Sequence, residues 1–517
     1  MRTWPTRTSV LVVGGGPVGL TLSLLLSEQG VGHLLVEAHP ATSRHPKARG
    51  VSARSVEVFR RLGLEPDVRR AGLPPSHVFF YRGRDLVDPD FVRTGVVPDG
   101  PEPGGGRTPA PGLVCSQDAL EEVLLRRARE RAPGAVRFHA RLLSFTEEPG
   151  EGVRAEVEDR DTGTVHTVHA DHLVGCDGAA STVRNGAGIA MDGPTGLGHY
   201  LSIRFEAPLG EVVADRASAS YFLTAPGRGG FLAVDNDRHW VYQYPYDPGR
   251  DDLAALLADP GALARLVREA AGLPGLDVTV RDTMTWRMDA RLAEAYRRSR
   301  VLLAGDAAHV VPPTGGHGMN TGIGDADNLA WKLAAVLDGR AGDRLLDTYQ
   351  DERRPVARQV VDLSLANSRA RAGYRIDDEL LLTAVYRSAA VRTGPGTPDR
   401  PPLDPSCEHG SAVAGGRLPH LVLPGTASTL DLVGPGFALL TPAPGTDWHR
   451  QAAAATAAGL PVTPHALPVD DGTWARFAGL PAAGALLVRP DGHLAWCAPR
   501  PPAEATGLLT VLRGLLH

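Results

Sequence analysis

The hydrophobic pattern of the amino-terminal stretch changes period twice. Ser9–Val13 is a short apolar run that predicts a buried strand. The cluster Gly14-Gly15-Gly16-Pro17-Val18-Gly19 interrupts it, and leucines at 20, 22, 24, 25 and 26 then predict a helix ending near Gly30. His33–Val36 returns to strand spacing and closes on Glu37. A second helix is predicted over Ser52–Leu62, and a third opens after Ser116, a suitable N-cap. Residues 136–174 are β-like and lead into Gly175-Cys176-Asp177-Gly178. Between 190 and 290, short alternating segments (YLSIRFEA, ASYFLTA, GGFLAVD, HWVYQYPY, DVTVRDTMTWRM) predict a second sheet, interrupted by a helix over Asp251–Ala271. Val301–Leu303 predicts another buried strand, followed by a Gly305-Asp306 turn, a proline- and glycine-rich loop and an amphipathic helix from near Thr321. Helical text continues to Arg371, with Pro355 expected to kink or restart it. Beyond 419 the order is β-α-β-β: TLDLV and FALLTP, a helix over Asp447–Ala457, HALPVD, and a hairpin through RPDGHLAW with an Asp-Gly turn. A helix over Ala503–Leu516 closes the chain.

Composition narrows the class. A chain of 517 residues implies two or three domains. With 22% charged and 43% hydrophobic residues it reads as soluble and globular. The net charge of -5, with no Lys/Arg run, argues against nucleic acid and anionic membrane as partners. The apolar run Leu20–Leu26 is broken by Thr and Ser and follows a glycine turn, so it predicts neither a signal peptide nor a span. Four cysteines (Cys115, Cys176, Cys407, Cys497) without a C-x-x-C suit a reducing cytoplasm and predict no metal site. The Pro/Gly-rich stretches 98–111 and 393–419 read as an exposed loop and a linker.

The glycine cluster carries the first chemistry. G-x-G-x-x-G between strand and helix, with Glu37 23 positions after Gly14, is a dinucleotide-binding pattern. Gly14 makes the turn, Gly16 admits a pyrophosphate, Gly19 allows close packing, and Glu37 accepts from a ribose. In the loop after Val301–Leu303, Asp306 is placed to accept from sugar-like hydroxyls. Gly315, Gly316 and Gly318 let backbone N–H groups approach a flat or anionic ligand. The following helix turns its positive end to the same spot, which suits the negative edge of a reduced flavin. In a chain with only 5% aromatic residues, Tyr221, Phe222, Phe231, Trp240, Tyr242, Tyr244 and Trp286 concentrate in the second sheet, a platform for a flat substrate.

GDAAHVVPPTGGHGMN, from Gly305 to Asn320, resembles the second FAD-binding motif of the group A flavoprotein aromatic hydroxylases, the para-hydroxybenzoate hydroxylase type. Among these the chain is most similar to the hydroxylases that tailor aromatic polyketides and related antibiotics. GCDGAASTVR, from Gly175 to Arg184, resembles the family's DG motif, shared by FAD and NAD(P)H binding. The carboxy-terminal segment resembles the family's thioredoxin-like third domain. The resemblance implies an α/β fold with α+β elements: an FAD-binding Rossmann-like domain (1–75, 108–185, 290–392), an interleaved substrate sheet (76–107, 186–289), a linker (393–418) and a thioredoxin-like domain (419–517). It implies FAD held by Gly14, Gly16, Pro17, Val18, Gly19 and Glu37, with Arg44, Lys47 and Gln117 along the cofactor and Asp177 in the DG motif. Asp306 would meet the ribityl or phosphate region, and Pro313, Gly316, Gly318, Met319 and Asn320 the ring. Arg49, Arg54, Ser181 and Arg184 are weaker candidates, and Asp177 with Arg184 also reads as a cap and ion pair. Tyr221, Phe231, Tyr242 and Trp286 are the substrate candidates; no acid–base residue stands out, and His309 and His317 read as structural.

The implied reaction is a monooxygenation: NADPH or NADH reduces FAD, O2 is activated at flavin C4a, and an oxygen atom passes to an electron-rich small aromatic substrate. Epoxidation, Baeyer–Villiger oxidation, catabolic phenol hydroxylation and a non-catalytic flavin protein are the alternatives. The W-x-W-x-I-P signature of flavin halogenases is absent. The expected assembly is a monomer or homodimer.

Overall fold

The computed structural model describes residues 4–95, 106–225, 227–370, 379–394, 399–404, 412–424 and 428–517. The strand Arg7–Val13 pairs in parallel with His33–Glu37 on one side and Thr164–Gly175 on the other; Val136–Phe138 and Val301–Leu303 extend the parallel core. The helix Pro17–Glu28 packs between this sheet and the helix Gly318–Leu337, and their leucines and valines form the main core. The glycine turn and the Asp177 segment are interlocked. Gly14 has φ +109°, and a Cβ there would lie 2.3 Å from the Cys176 carbonyl oxygen; one on Gly19 would lie 1.9 Å from that of Gly14. Only glycine fits either position.

A seven-stranded sheet forms the second layer, in the order Thr279–Met288, Gly198–Glu206, His239–Pro245, Gly230–Ala233, Ser220–Leu223, Phe79–Gly83, Val92–Gly95. One face is covered by the helix Pro260–Ala271. The single helix expected over Asp251–Ala271 is two, Leu253–Ala258 and Pro260–Ala271, because the residue before a proline disfavours helical backbone.

Other helices also differ from expectation. The ring-side helix starts at Gly318, directly on the glycine loop, rather than near Thr321. The helix Asp347–Arg369 runs through Pro355 unbroken. Pro355 lies on the exposed side, where water reaches the carbonyl that its ring leaves without a donor. The Arg371 end, residues 98–105 of the proposed loop, and 395–398 and 405–411 of the proposed linker lie outside the described residues.

The carboxy-terminal layer is a four-stranded sheet in the order Val462–Ala466, Phe437–Thr441, Ala485–Val488, Leu494–Ala498, the first pair parallel and the rest antiparallel. With the helices Asp447–Ala457 and Gly507–Leu516 this is the thioredoxin-like pattern. TLDLV forms a 3-10 turn, Thr429–Leu432, rather than a strand, since Ser428 caps it by accepting from the Leu430 N–H. An unpredicted helix, Asp471–Ala478, is capped by Asp470, which accepts from Thr473 N–H at 2.7 Å.

The Asp-Gly hairpin does more than turn the chain. Arg489 and Asp491 reach into the first layer, where Arg489 donates to Glu352 at 2.6 and 2.8 Å and Lys332 donates to Glu352 at 2.8 Å. Arg54 donates to the Asp491 carbonyl at 2.6 Å and to the Asp327 carboxylate at 2.8 Å. Burial opposes the charge on Glu352, but the adjacent Arg489 and Lys332 outweigh it and hold this carboxyl far below its usual range. Arg54, carried over as a weak cofactor candidate, is thereby committed to joining the two layers.

Candidate functional site

A cavity of about 1570 Å³ lies between the parallel sheet and the seven-stranded sheet. A single small-ligand pocket holds roughly 300–1,000 Å³, so this one has room for a dinucleotide and a second molecule.

At one end it is bordered by Gly14, Gly16, Pro17 and Val18, at the start of the helix Pro17–Glu28. No side chain caps that helix. A Cβ on Gly16 would meet nothing closer than Glu121 Oε1 at 4.0 Å, so the space in front of these N–H groups belongs to the cavity. Glu37 accepts from the Gly15 N–H at 2.6 Å and from His39 N–H at 2.8 Å, which fixes its carboxylate at the rim. Gly19 does not border the cavity; its role is packing. Arg44 and Lys47 border it with exposed side chains. Gln117 also borders it but is engaged within the protein: its Oε1 accepts from Ala48 N–H at 3.2 Å and its Nε2 donates to Glu121 at 2.7 Å.

Asp177 borders the cavity beside the glycine turn and accepts from the Ser181 hydroxyl and the Val183 N–H. Burial pushes its carboxyl above the usual range. Arg184 donates to the carbonyls of Ala179 and Ala307, so the two form a cap and a carbonyl clamp rather than an ion pair.

Asp306 is the unsatisfied group. Its carboxylate has no hydrogen-bond partner among the described residues, and enclosure by the surrounding protein raises its pKa although the side chain faces the open cavity. The turn that presents it is anchored from below. Asp325 accepts from Gly305 N–H at 3.1 Å, from Arg353 at 2.8 Å and pairs with His309 at 2.6 Å, all buried. Burial disfavours the Asp325 charge, and His309 and Arg353 more than offset it. His309 is thus a structural partner.

Pro313, Gly316, Gly318 and Met319 border the other end, where Gly315 and Gly316 have φ +142° and +73°. Asn320 also borders it, yet all its capacity is spent. It accepts from Ser52 N–H and Ser55 Oγ at 2.9 and 2.8 Å, and donates to the Gly50 and Gly316 carbonyls at 2.9 and 2.8 Å. It clamps the loop to the segment before the helix Ala53–Arg61. No side chain caps the helix Gly318–Leu337, whose N-terminus faces the same space and favours negative charge there.

The uncapped helix start at Gly16, the free Asp306 carboxylate and the glycine loop together fit a dinucleotide carrying a flat ring.

The seven-stranded sheet supplies the remaining wall, and its alternation sorts the aromatic candidates. The side chains of Tyr221, Phe231, Tyr242 and Trp240 lie in the cluster beneath the helix Pro260–Ala271. Tyr221 and Phe231 reach the cavity boundary, but both are fully buried in that cluster. Tyr242 is not on the boundary at all, and its hydroxyl donates to the Arg228 carbonyl at 2.7 Å. The assignment of these three to substrate is corrected: period-two alternation turns them to the covered face. Trp286 does face the cavity, with Tyr200, Ser202, Phe222 and Gln243 beside it. Sequence reasoning missed Tyr200, Ser202 and Gln243, although their alternation with Leu201, Ile203 and Tyr242 was the available signal.

Two more residues stand near the sheet: Arg49, a weaker cofactor candidate from the sequence, and His45, which sequence reasoning missed. Arg49 is buried and donates to the carbonyls of Ala233 and Ala219 at 2.5 Å and to Ser220 Oγ at 2.8 Å, and burial lowers its pKa to about 10. It joins the first layer to the second. His45 borders the cavity, is 4% exposed, and has no partner on either ring nitrogen among the described residues. Burial lowers its pKa.

Residues 7–364 match the family model described as "FAD binding domain", and residues 411–516 that described as "Aromatic-ring hydroxylase, C-terminal". The tetracenomycin B2 monooxygenase-dioxygenase of Streptomyces olivaceus is 37% identical over 98% of this chain and 97% of its own. Aklavinone 12-hydroxylase of Streptomyces purpurascens is 37% identical over 99% of each. The solved ternary complex of aklavinone-11 hydroxylase with FAD and aklavinone superposes with a TM-score of 0.88 at 34% identity over the full length of both chains. The chain is an FAD-dependent monooxygenase and belongs to the family of aromatic-ring hydroxylases.

Proposed function

We propose that this chain hydroxylates a flat, polycyclic phenolic substrate of the aromatic polyketide class, as in antibiotic biosynthesis, consuming O2 and NADH or NADPH. The observation that carries the reading is the single cavity, in which the glycine turn, Asp306 and the ring-side loop share space with the sheet face bearing Tyr200, Phe222 and Trp286. Relatives named for tetracenomycin and aklavinone support a polycyclic substrate. The volume left beyond a dinucleotide supports it too.

FAD, when bound, supplies hydride acceptance and oxygen transfer. The chain's own residues supply position and charge. The free backbone N–H groups of Gly16 and Val18, at the start of the helix Pro17–Glu28, would face the cofactor's pyrophosphate, and Glu37 and Asp306 would accept from its sugar-like hydroxyls. The N-terminus of Gly318–Leu337 would stabilise negative charge on the ring, and Pro313, Gly316 and Met319 would shape its pocket. Asn320, Asp325 and Asp177 hold these segments in place. The sheet face excludes water and orients the substrate. Strand membership supports a division into an FAD-binding unit (1–75, 108–185, 290–392), a substrate sheet (76–107, 186–289) and a thioredoxin-like unit from 419.

The test follows flavin absorbance anaerobically with NADH or NADPH, with and without a panel of aromatic polyketides. Rapid bleaching only with a polycyclic phenol, and a product carrying one added hydroxyl oxygen under air, is the expected result. An epoxide or lactone product would replace the hydroxylation reading, and protein unable to take up FAD would remove its basis.

A further inference from the structure

On the cavity face of the seven-stranded sheet, a half-buried polar cluster points one hydrogen-bond donor outward. Ser202 and Gln243 are cross-strand partners, as are Tyr200 and Trp286. Trp286 stacks on Tyr200 at 4.4 Å with 14° between the rings. Its indole N–H donates to Ser202 Oγ and to Gln243 Oε1, both at 3.0 Å, and the Ser202 hydroxyl donates to Gln243 Oε1 at 2.9 Å.

The indole nitrogen is a donor only. It therefore dictates which end of the Gln243 amide turns inward: the oxygen, held by two donors, with Ser202 fully buried behind it. The amide NH2 is left facing the cavity, with no partner among the described residues. A donor held in this way has already lost the rotational freedom that binding would otherwise cost. An amide NH2 offers nothing to a donor and binds only an acceptor.

We propose that Gln243 is a specificity-determining residue: its NH2, locked by Trp286 and Ser202, donates to a carbonyl oxygen of the substrate. Trp286 and Ser202 are positioning residues that act through it. The cluster thus selects a quinone-like or carbonyl-bearing ring system over the same hydroxylated ring system without the carbonyls. This rests on the reading of the cavity as a site for a polycyclic aromatic beside FAD.

The test measures binding by equilibrium dialysis on the FAD-loaded full chain, using 1,8-dihydroxyanthraquinone and 1,8-dihydroxyanthracene as probes. Wild type is expected to prefer the quinone by tenfold or more. Gln243→Glu, which keeps acceptors toward Trp286 and Ser202 but presents no amide donor, is expected to abolish that preference. Gln243→Met is expected to do the same, and Trp286→Phe, which keeps the ring but frees the amide to flip, to reduce it severalfold. FAD content of Gln243→Met should match wild type, which separates lost recognition from lost fold. A preference that survives in both Gln243 variants overturns the proposal, as does a wild type that does not distinguish the probes or binds neither. A protein that fails to load FAD would instead remove the function reading beneath it.

Discussion

The two faces of the seven-stranded sheet are built from the same residue types to opposite ends. Under the helix Pro260–Ala271, Tyr81, Tyr221, Phe231, Trp240 and Tyr242 are at most 2% exposed, and their polar tips are bonded inside the protein. On the cavity face, Tyr200 and Trp286 are only half-buried, and neither the Tyr200 hydroxyl nor the Gln243 NH2 has a hydrogen-bond partner among the described residues. Aromatic residues on the first face complete a core; on the second they leave an unfinished surface for a ligand to complete. Burial with every polar group satisfied indicates structure, and a rigid group left unsatisfied in a cavity indicates recognition.

The sharpest test of this contrast is Trp240→Ala. It deletes a fully buried indole and is expected to cost about 3–5 kcal/mol of stability, measured by urea unfolding. A loss below about 1 kcal/mol would mean that the covered face is not core. The same chemical change on both faces comes next. Tyr221→Phe strips the hydroxyl that accepts from Ser218 N–H at 2.9 Å and donates to buried Asn236 at 2.7 Å. It should cost about 1–2 kcal/mol and leave aromatic-ligand affinity unchanged. Tyr200→Phe removes a hydroxyl with nothing to lose inside the fold, so stability should stay within about 0.5 kcal/mol. Equal costs for the two tyrosines would break the comparison.

The smallest effect at neutral pH belongs to His45 on the cavity wall. Burial lowers its pKa from 6.5, so the folded protein disfavours the charged ring. Its contribution to stability is complete above pH 6.5 and is lost as pH falls through the lowered value, because the unfolded chain then binds the proton more readily. His45→Gln should leave stability at neutral pH nearly unchanged and flatten the decline on acidification. Unfolding midpoints compared between neutral and mildly acidic buffer would detect it, and parallel pH profiles would contradict it.

Much of the site was readable in the sequence because its chemistry is local. A strand, a glycine turn that tolerates no Cβ at Gly14 or Gly19, and a helix start are adjacent in the chain, so Gly14, Gly16 and Gly19 declare themselves without tertiary information. The same holds for Asp306 and the glycine loop. The aromatic candidates misled because HWVYQYPY and its neighbours advertise the aromatics of one face, while the cavity face is carried by Tyr200, Ser202, Gln243 and Trp286 on three different strands. Alternation states which residues share a face; it does not state which face a helix will cover.

By itself, then, the sequence determined the nucleotide-binding strand, turn and helix and the ring-side loop, since each depends on neighbours a few residues away. Tertiary structure alone decided which aromatics meet the cavity. It also decided that Asp325, His309 and Arg353 brace the turn of Asp306, and that a hairpin turn at Asp491-Gly492 buries Arg489 against Glu352 of a distant helix. Those contacts join residues from 16 to 137 positions apart. A buried charge is tolerable only when its partner arrives, and that arrival is settled by the packing of whole layers rather than by any local pattern.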